Sequence, residues 1–131
     1  LEKFAKNYAQ KKGLKIYSIT DTYPRLYADK NFNCAGPKEF LSLIYNCDAF
    51  VSNSFHGTAF SIIFHKPVFV FNRHRHKVNS SLMKLFELEN CIINDDSDCK
   101  NAMDMSFDFY SIDRIKNENL LTSINFLQNL L

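Results

Sequence analysis

Residues 49–71 read AFVSNSFHGTAFSIIFHKPVFVF, and the change of pattern within them decides the fold. Ala49 to Ser52 is a short, mainly apolar run that ends at Asn53, and Val68 to Phe71 is a second apolar run. Between them, Ser54 to His65 sets Ala59, Phe60, Ile62, Ile63 and Phe64 in a helical pattern, which Lys66-Pro67 stops. Strand, helix and strand joined by tight connections form a parallel unit. Strands without polar alternation belong to a sheet covered on both faces.

Upstream, Leu1, Phe4, Ala5, Tyr8 and Ala9 stand at helical spacing, and Gly13 is a natural stop. Leu14 to Ile19 predicts a strand, and the polar, aperiodic stretch Thr20 to Ala35 predicts a long loop. Gly36-Pro37 opens a helix over 37–46, with Glu39 in the first turn and Phe40, Leu41, Leu43 and Ile44 as its buried face. Downstream come a helix from Val78 to Leu88 and a short strand at Cys91 to Ile93. An acidic loop from Asn94 to Phe107 and one or two amphipathic helices over Ser111 to Leu131 complete the pattern. Residues 1–131 therefore predict a single Rossmann-like α/β domain, three-layered around a small, mostly parallel sheet.

Composition narrows the function. Against 16 Lys and Arg stand 14 Asp and Glu, a net charge of +2, too balanced for a chain dedicated to nucleic acid or an anionic membrane. The longest apolar stretch, Phe60 to Val70, is interrupted by His65 and Lys66 and falls short of the roughly 20 residues that a bilayer takes, so no transmembrane segment is expected. Cys34, Cys47, Cys91 and Cys99 form no CxxC or CxxH pair, which argues against a structural zinc site. They read as free thiols of a cytoplasmic protein. Phosphate loops of the Gly-rich kind, HExxH and GxSxG are absent from the sequence, and neither a metal nor a cofactor is expected. Leu1 falls in mid-helix pattern, so the chain is expected to be part of a longer protein.

In an open parallel sheet, ligands gather where strands end and helices begin. Asn53, Ser54, Phe55, His56, Gly57 and Thr58 occupy such a place. Asn53, Ser54 and Thr58 can cap the helix, Gly57 allows close backbone approach, and His56 brings an imidazole, a group that can give or take a proton near neutral pH. The same residues also suit an ordinary helix start. A second cluster, Arg73-His74-Arg75-His76-Lys77, follows the next strand and should emerge on the same sheet edge, where Arg73, Arg75 and Lys77 could neutralise a phosphate or carboxylate. Glu39, Asp48 and His65 read as local helix-end and turn residues.

The run Gly36 to Phe71, GPKEFLSLIYNCDAFVSNSFHGTAFSIIFHKPVFVF, resembles the core of the polysaccharide pyruvyl transferase family. The shared features are the GPxEF helix start, the NSFHG strand-to-helix turn and the KP before the following strand. The resemblance extends more weakly over Ser80 to Asn90 and the last helix. It implies the C-terminal half of a two-domain, GT-B-type transferase whose missing N-terminal domain supplies the other wall of the active-site cleft. It also implies a reaction, transfer of pyruvate from phosphoenolpyruvate to two hydroxyls of a saccharide acceptor, which can be lipid-linked, in capsular, cell-wall or exopolysaccharide synthesis. His56 would be the proton donor. Asn53 to Thr58 with Arg73, Arg75 or Lys77 would hold the donor's charge, and Glu39 matches the acidic residue of the GPxEF turn. Two other readings fit the residues: a glycosyltransferase using a nucleotide sugar, and a non-catalytic α/β domain whose basic loop binds an acidic partner.

Overall fold

A computed structural model describes residues 1–71 and 77–130. Arg73 and Arg75 lie outside the described residues, as does the side chain of Lys77. The elements run α1 (Glu2–Lys12), β1 (Tyr17–Thr20), β2 (Lys30–Asn33), α2 (Pro37–Asn46), β3 (Phe50–Ser52), α3 (Phe55–Ile63), β4 (Val68–Phe71), α4 (Lys77–Leu85), β5 (Ile92–Ile93), α5 (Asp96–Ala102) and α6 (Phe109–Leu130). β3, β4 and β5 form a parallel sheet in that order, with Ser52 opposite Val70 and Val70 opposite Ile92.

β4 is the middle strand, and its side chains alternate between two helix layers. Val68 and Val70 pack with Ile62, Met83, Leu88, Cys91 and Ile112, from α3, α4, α6 and the turn before β5. Phe69 points the other way and packs with Phe4, Ile93 and Ala102, from α1, β5 and α5. The result is the expected α/β arrangement, a small parallel sheet between helices. Burial pushes the Cys91 thiol up to about 12, so it stays protonated as part of the core. All four cysteines are free thiols.

The structure departs from the sequence reading at several places. The first strand begins at Tyr17, later than Leu14, and the expected loop after it contains a further strand. β1 and β2 pair in parallel as a separate two-stranded sheet, Tyr17 against Lys30 through Thr20 against Asn33. β2 reads KNFN, too short and too polar to register as a strand. Its connection is closed locally: the Asp29 carboxylate accepts from Ile16 N–H at 2.7 Å, and Asn31 Oδ1 accepts from Arg25 N–H at 2.7 Å.

In α2, Ile44 alone is fully buried, while Phe40, Leu41 and Leu43 are half-buried, because α2 packs against α3 on the outside of the core. The expected acidic loop contains α5, which has no apolar period and forms on its cap. Asp95 accepts from the N–H groups of Ser97 and Asp98 at 2.8 and 3.0 Å. α4 ends at Leu85 rather than Leu88, and the chain turns back through Glu87 at φ 57° with Leu88 N–H bonded to Met83 C=O.

His65 closes α3 at φ 55° and reaches α6. Its Nε2–H donates to Asp113 Oδ1 at 3.0 Å, and Lys116 donates to the same oxygen at 2.7 Å. Lys116 first, then His65, hold the Asp113 carboxyl below its usual 3.8. A depressed folded-state pKa stabilises the fold above the unfolded value and loses that effect as pH falls through the folded one. Asp113→Asn should therefore be less stable than the parent at pH 7 in urea unfolding, with the difference closing below about pH 4. A difference independent of pH would show that the carboxylate charge is not what joins α3 to α6.

Candidate active site

The turn from β3 into α3 is fixed by its own side chains. Ser52 Oγ accepts from Ser54 N–H at 2.9 Å, setting the bend at Asn53 before the helix begins. Ser54 is the N-cap: its Oγ accepts from Gly57 N–H at 3.3 Å, and its carbonyl accepts from Thr58 N–H at 3.0 Å and the Thr58 hydroxyl at 2.8 Å. The Phe55 and His56 N–H groups are left without an acceptor among the described residues. They carry the positive end of the helix dipole.

The close approach that Gly57 allows is to Phe50 of β3. A Cβ at Gly57 would lie 2.5 and 2.8 Å from two atoms of the Phe50 ring. Gly57 and Thr58 are buried and act as frame, whereas Asn53, Phe55 and His56 are exposed. The His56 ring meets the Phe55 ring edge-on, with centroids 5.7 Å apart. The His56 imidazole thus stands at a helix start whose first two amides have no acceptor among the described residues, at the carboxyl end of a parallel strand, a combination able to hold an anion and hand it a proton.

β4 lies beside β3 and runs in the same direction, so the strand that precedes residues 72–76 in the sequence ends on the edge that carries the turn. Lys77 is the first residue of α4, directly after them. Glu39 is exposed in the first turn of α2, where it lines a shallow groove with Phe32, Gly36, Pro37 and Ser42 that includes none of Asn53 to Thr58.

Two features escaped the sequence. Asn79 of α4 is buried and donates its Nδ2–H to the Asn53 carbonyl at 2.9 Å. An asparagine inside an amphipathic helix reads as surface, and no local signal marks it. The other is a cleft of about 600 Å³ at the ends of β4 and β5, bounded by Phe4, Phe71, Asn94, Asp96 and Lys100. It depends on α5, which the pattern did not show. Among the described residues, no three His, Cys, Asp or Glu side chains gather as metal ligands would, and no helix is long and apolar enough to cross a membrane.

The family model for polysaccharide pyruvyl transferase matches residues 2–75, more than half of the chain, from α1 through the His56 turn to Arg75. The chain belongs to the polysaccharide pyruvyl transferase family. No curated protein and no solved structure matches it. In this pyruvyl transferase chain, the matched residues include the turn, the GPxEF helix start and both arginines after β4.

The frame of the turn should be sensitive to substitution. Gly57→Ala is expected to cost about 1–3 kcal/mol in urea unfolding, because the Phe50 ring must move. Ser54→Ala should cost about 1 kcal/mol, with Ser54→Asp retaining the cap. Parent-like stability for Gly57→Ala would mean that α3 does not sit this close to β3.

Proposed function

We propose that the chain is the C-terminal half of a two-domain, GT-B-type enzyme that transfers pyruvate from phosphoenolpyruvate to a saccharide as a cyclic ketal. The observation that carries this reading is the exposed His56 beside the N–H groups of Phe55 and His56, which have no acceptor among the described residues, inside the segment that places the chain in its family. The donor's phosphate or carboxylate binds at those amides, and Arg73, Arg75 or Lys77 neutralises its charge. Protonated His56 delivers a proton to the methylene carbon of phosphoenolpyruvate, which becomes the methyl group and leaves an oxocarbenium-like centre. One sugar hydroxyl adds to that centre and gives up its proton. Phosphate then departs with the C–O bond electrons, and the second hydroxyl closes the ketal. The two hydroxyl protons balance the new methyl hydrogen and the proton on the released phosphate.

The acceptor belongs to capsular, cell-wall or exopolysaccharide synthesis and can be lipid-linked, with the reaction on the cytoplasmic side. An apolar face supports the two-domain reading: Leu120, Leu121, Ile124, Phe126, Leu127 and Leu130 of α6 are all exposed, as a surface that packs on the other half would be in its absence. On this reading the 131 residues alone are inactive.

The test is His56→Gln in the full-length protein, with phosphate release from phosphoenolpyruvate followed in the presence of a saccharide acceptor. A loss of about 10²- to 10⁴-fold in kcat is expected for removal of the proton donor. Unchanged turnover would overturn the role given to His56. Protection from thermal unfolding by nucleotide sugars but not by phosphoenolpyruvate would overturn the choice of donor.

A further inference from the structure

The turn that carries His56 is held from a second element. Asn79, in the first turn of α4, is 2% exposed and reaches 26 positions back to the Asn53 carbonyl. Asn53 precedes the Ser54 cap, so its carbonyl lies outside the hydrogen-bond ladder of α3 and needs a partner from elsewhere. The bond joins the start of α4 to the start of α3 across the edge where β3 and β4 end.

The other half of the same amide points to a role beyond stability. Asn79 Oδ1 is buried and has no hydrogen-bond partner among the described residues. An unpaired buried acceptor is destabilising, and an apolar side chain of the same shape would avoid that cost. The Oδ1 atom by itself gives no reason for an asparagine here. Holding the Asn53 carbonyl does, because Asn53 and Ser54 lead directly into the two amides and the imidazole of the site. The cap bonds of Ser54 fix α3 on its own axis, and the Asn79 bond fixes how that axis enters from β3.

We propose that Asn79 is a positioning residue: by clamping the Asn53 carbonyl it orients the Ser54–His56 turn, so that the His56 imidazole and the Phe55 and His56 amides meet one ligand together. The task assigned to that ligand rests on the pyruvyl-transfer reading, whereas the clamp rests on the hydrogen bond alone. A displacement of about 1 Å at a reacting group costs on the order of 10²-fold in rate, so loss of the clamp should be felt in turnover before it is felt in stability.

The test is Asn79→Leu in the full-length protein, which keeps the number and branching of the side chain's heavy atoms and removes both the amide donor and the amide acceptor. Three quantities are compared with the parent: the thermal midpoint, kcat and KM for phosphoenolpyruvate, and the Phe55 and His56 resonances in protein labelled selectively at Phe and His. The expected result is a midpoint within about 3 °C of the parent or above it, shifted Phe55 and His56 resonances, and kcat lowered about 10- to 100-fold with a smaller change in KM. Unfolding of Asn79→Leu would show the amide to be structural and overturn the proposal, and so would a folded variant whose Phe55 and His56 resonances stay in place. Parent-like kcat in a variant with moved resonances would overturn it as well. A parent protein with no turnover of phosphoenolpyruvate would refute the pyruvyl-transfer reading, and the resonances would then decide the clamp.

Discussion

Everything in this chain hangs on the burial of one short strand from both sides. Val68, Phe69 and Val70 are each at most 1% exposed, and successive side chains go to opposite helix layers. Burying each contributes about 1.5–3 kcal/mol, the largest concentration of apolar burial in consecutive residues among the described ones. A polar side chain at any of the three would sit in a layer that offers it no partner. With β4 fixed, the parallel register places the end of β3 beside it, Ser52 against Val70, and the site edge is set in turn.

The candidate site is built on that frame by a division along α3. Gly57, Thr58, Ser61 and Ile62 face inward, and the hydroxyls among them are spent on the helix's own carbonyls, Thr58 on Ser54 and Ser61 on Gly57 at 2.8 Å each. Small, internally bonded residues let the helix lie against Phe50 without stranding a polar group. Outward, the amides of Phe55 and His56 have no acceptor among the described residues. A rigid inner face and an unsatisfied outer one are what a binding edge requires, since the groups meant for a ligand must not be consumed by the fold.

How much of this was legible in the sequence depends on where the signal resides. The β3–α3–β4 unit and α2 were readable because Pro37, Ser54 and Pro67 punctuate apolar runs of the right period, and the structure puts α2 over 37–46 and β4 over 68–71 as read. β2 and α5 were not, since KNFN and DSDCKNA carry little apolar periodicity. They form through pairing with β1 and through the Asp95 cap. In the site, the short polar residues after β3 announced a helix start. That Gly57 answers to Phe50 and Asn53 to Asn79 was invisible, because each partner is distant in the chain and carries no pattern of its own.

The boundary of the family match falls at a physically meaningful place. Residues 2–75 contain the turn, yet Val68 and Val70 are covered by Met83, Leu88, Cys91 and Ile112, all beyond it. The matched part therefore cannot bury its own central strand, and α4, β5 and α6 must supply the apolar layer that does. Such a layer is constrained in volume and period, and cores tolerate exchange among hydrophobic residues of similar size. At the candidate site His56 has no such freedom, because an imidazole has no substitute of equal chemistry, whereas the backbone amides there need only a residue other than proline. Asn79 stands out against this division as a buried polar residue beyond the matched segment. Its amide bonds the turn rather than the layer around it, which ties the part of the core beyond the matched residues to the edge within them.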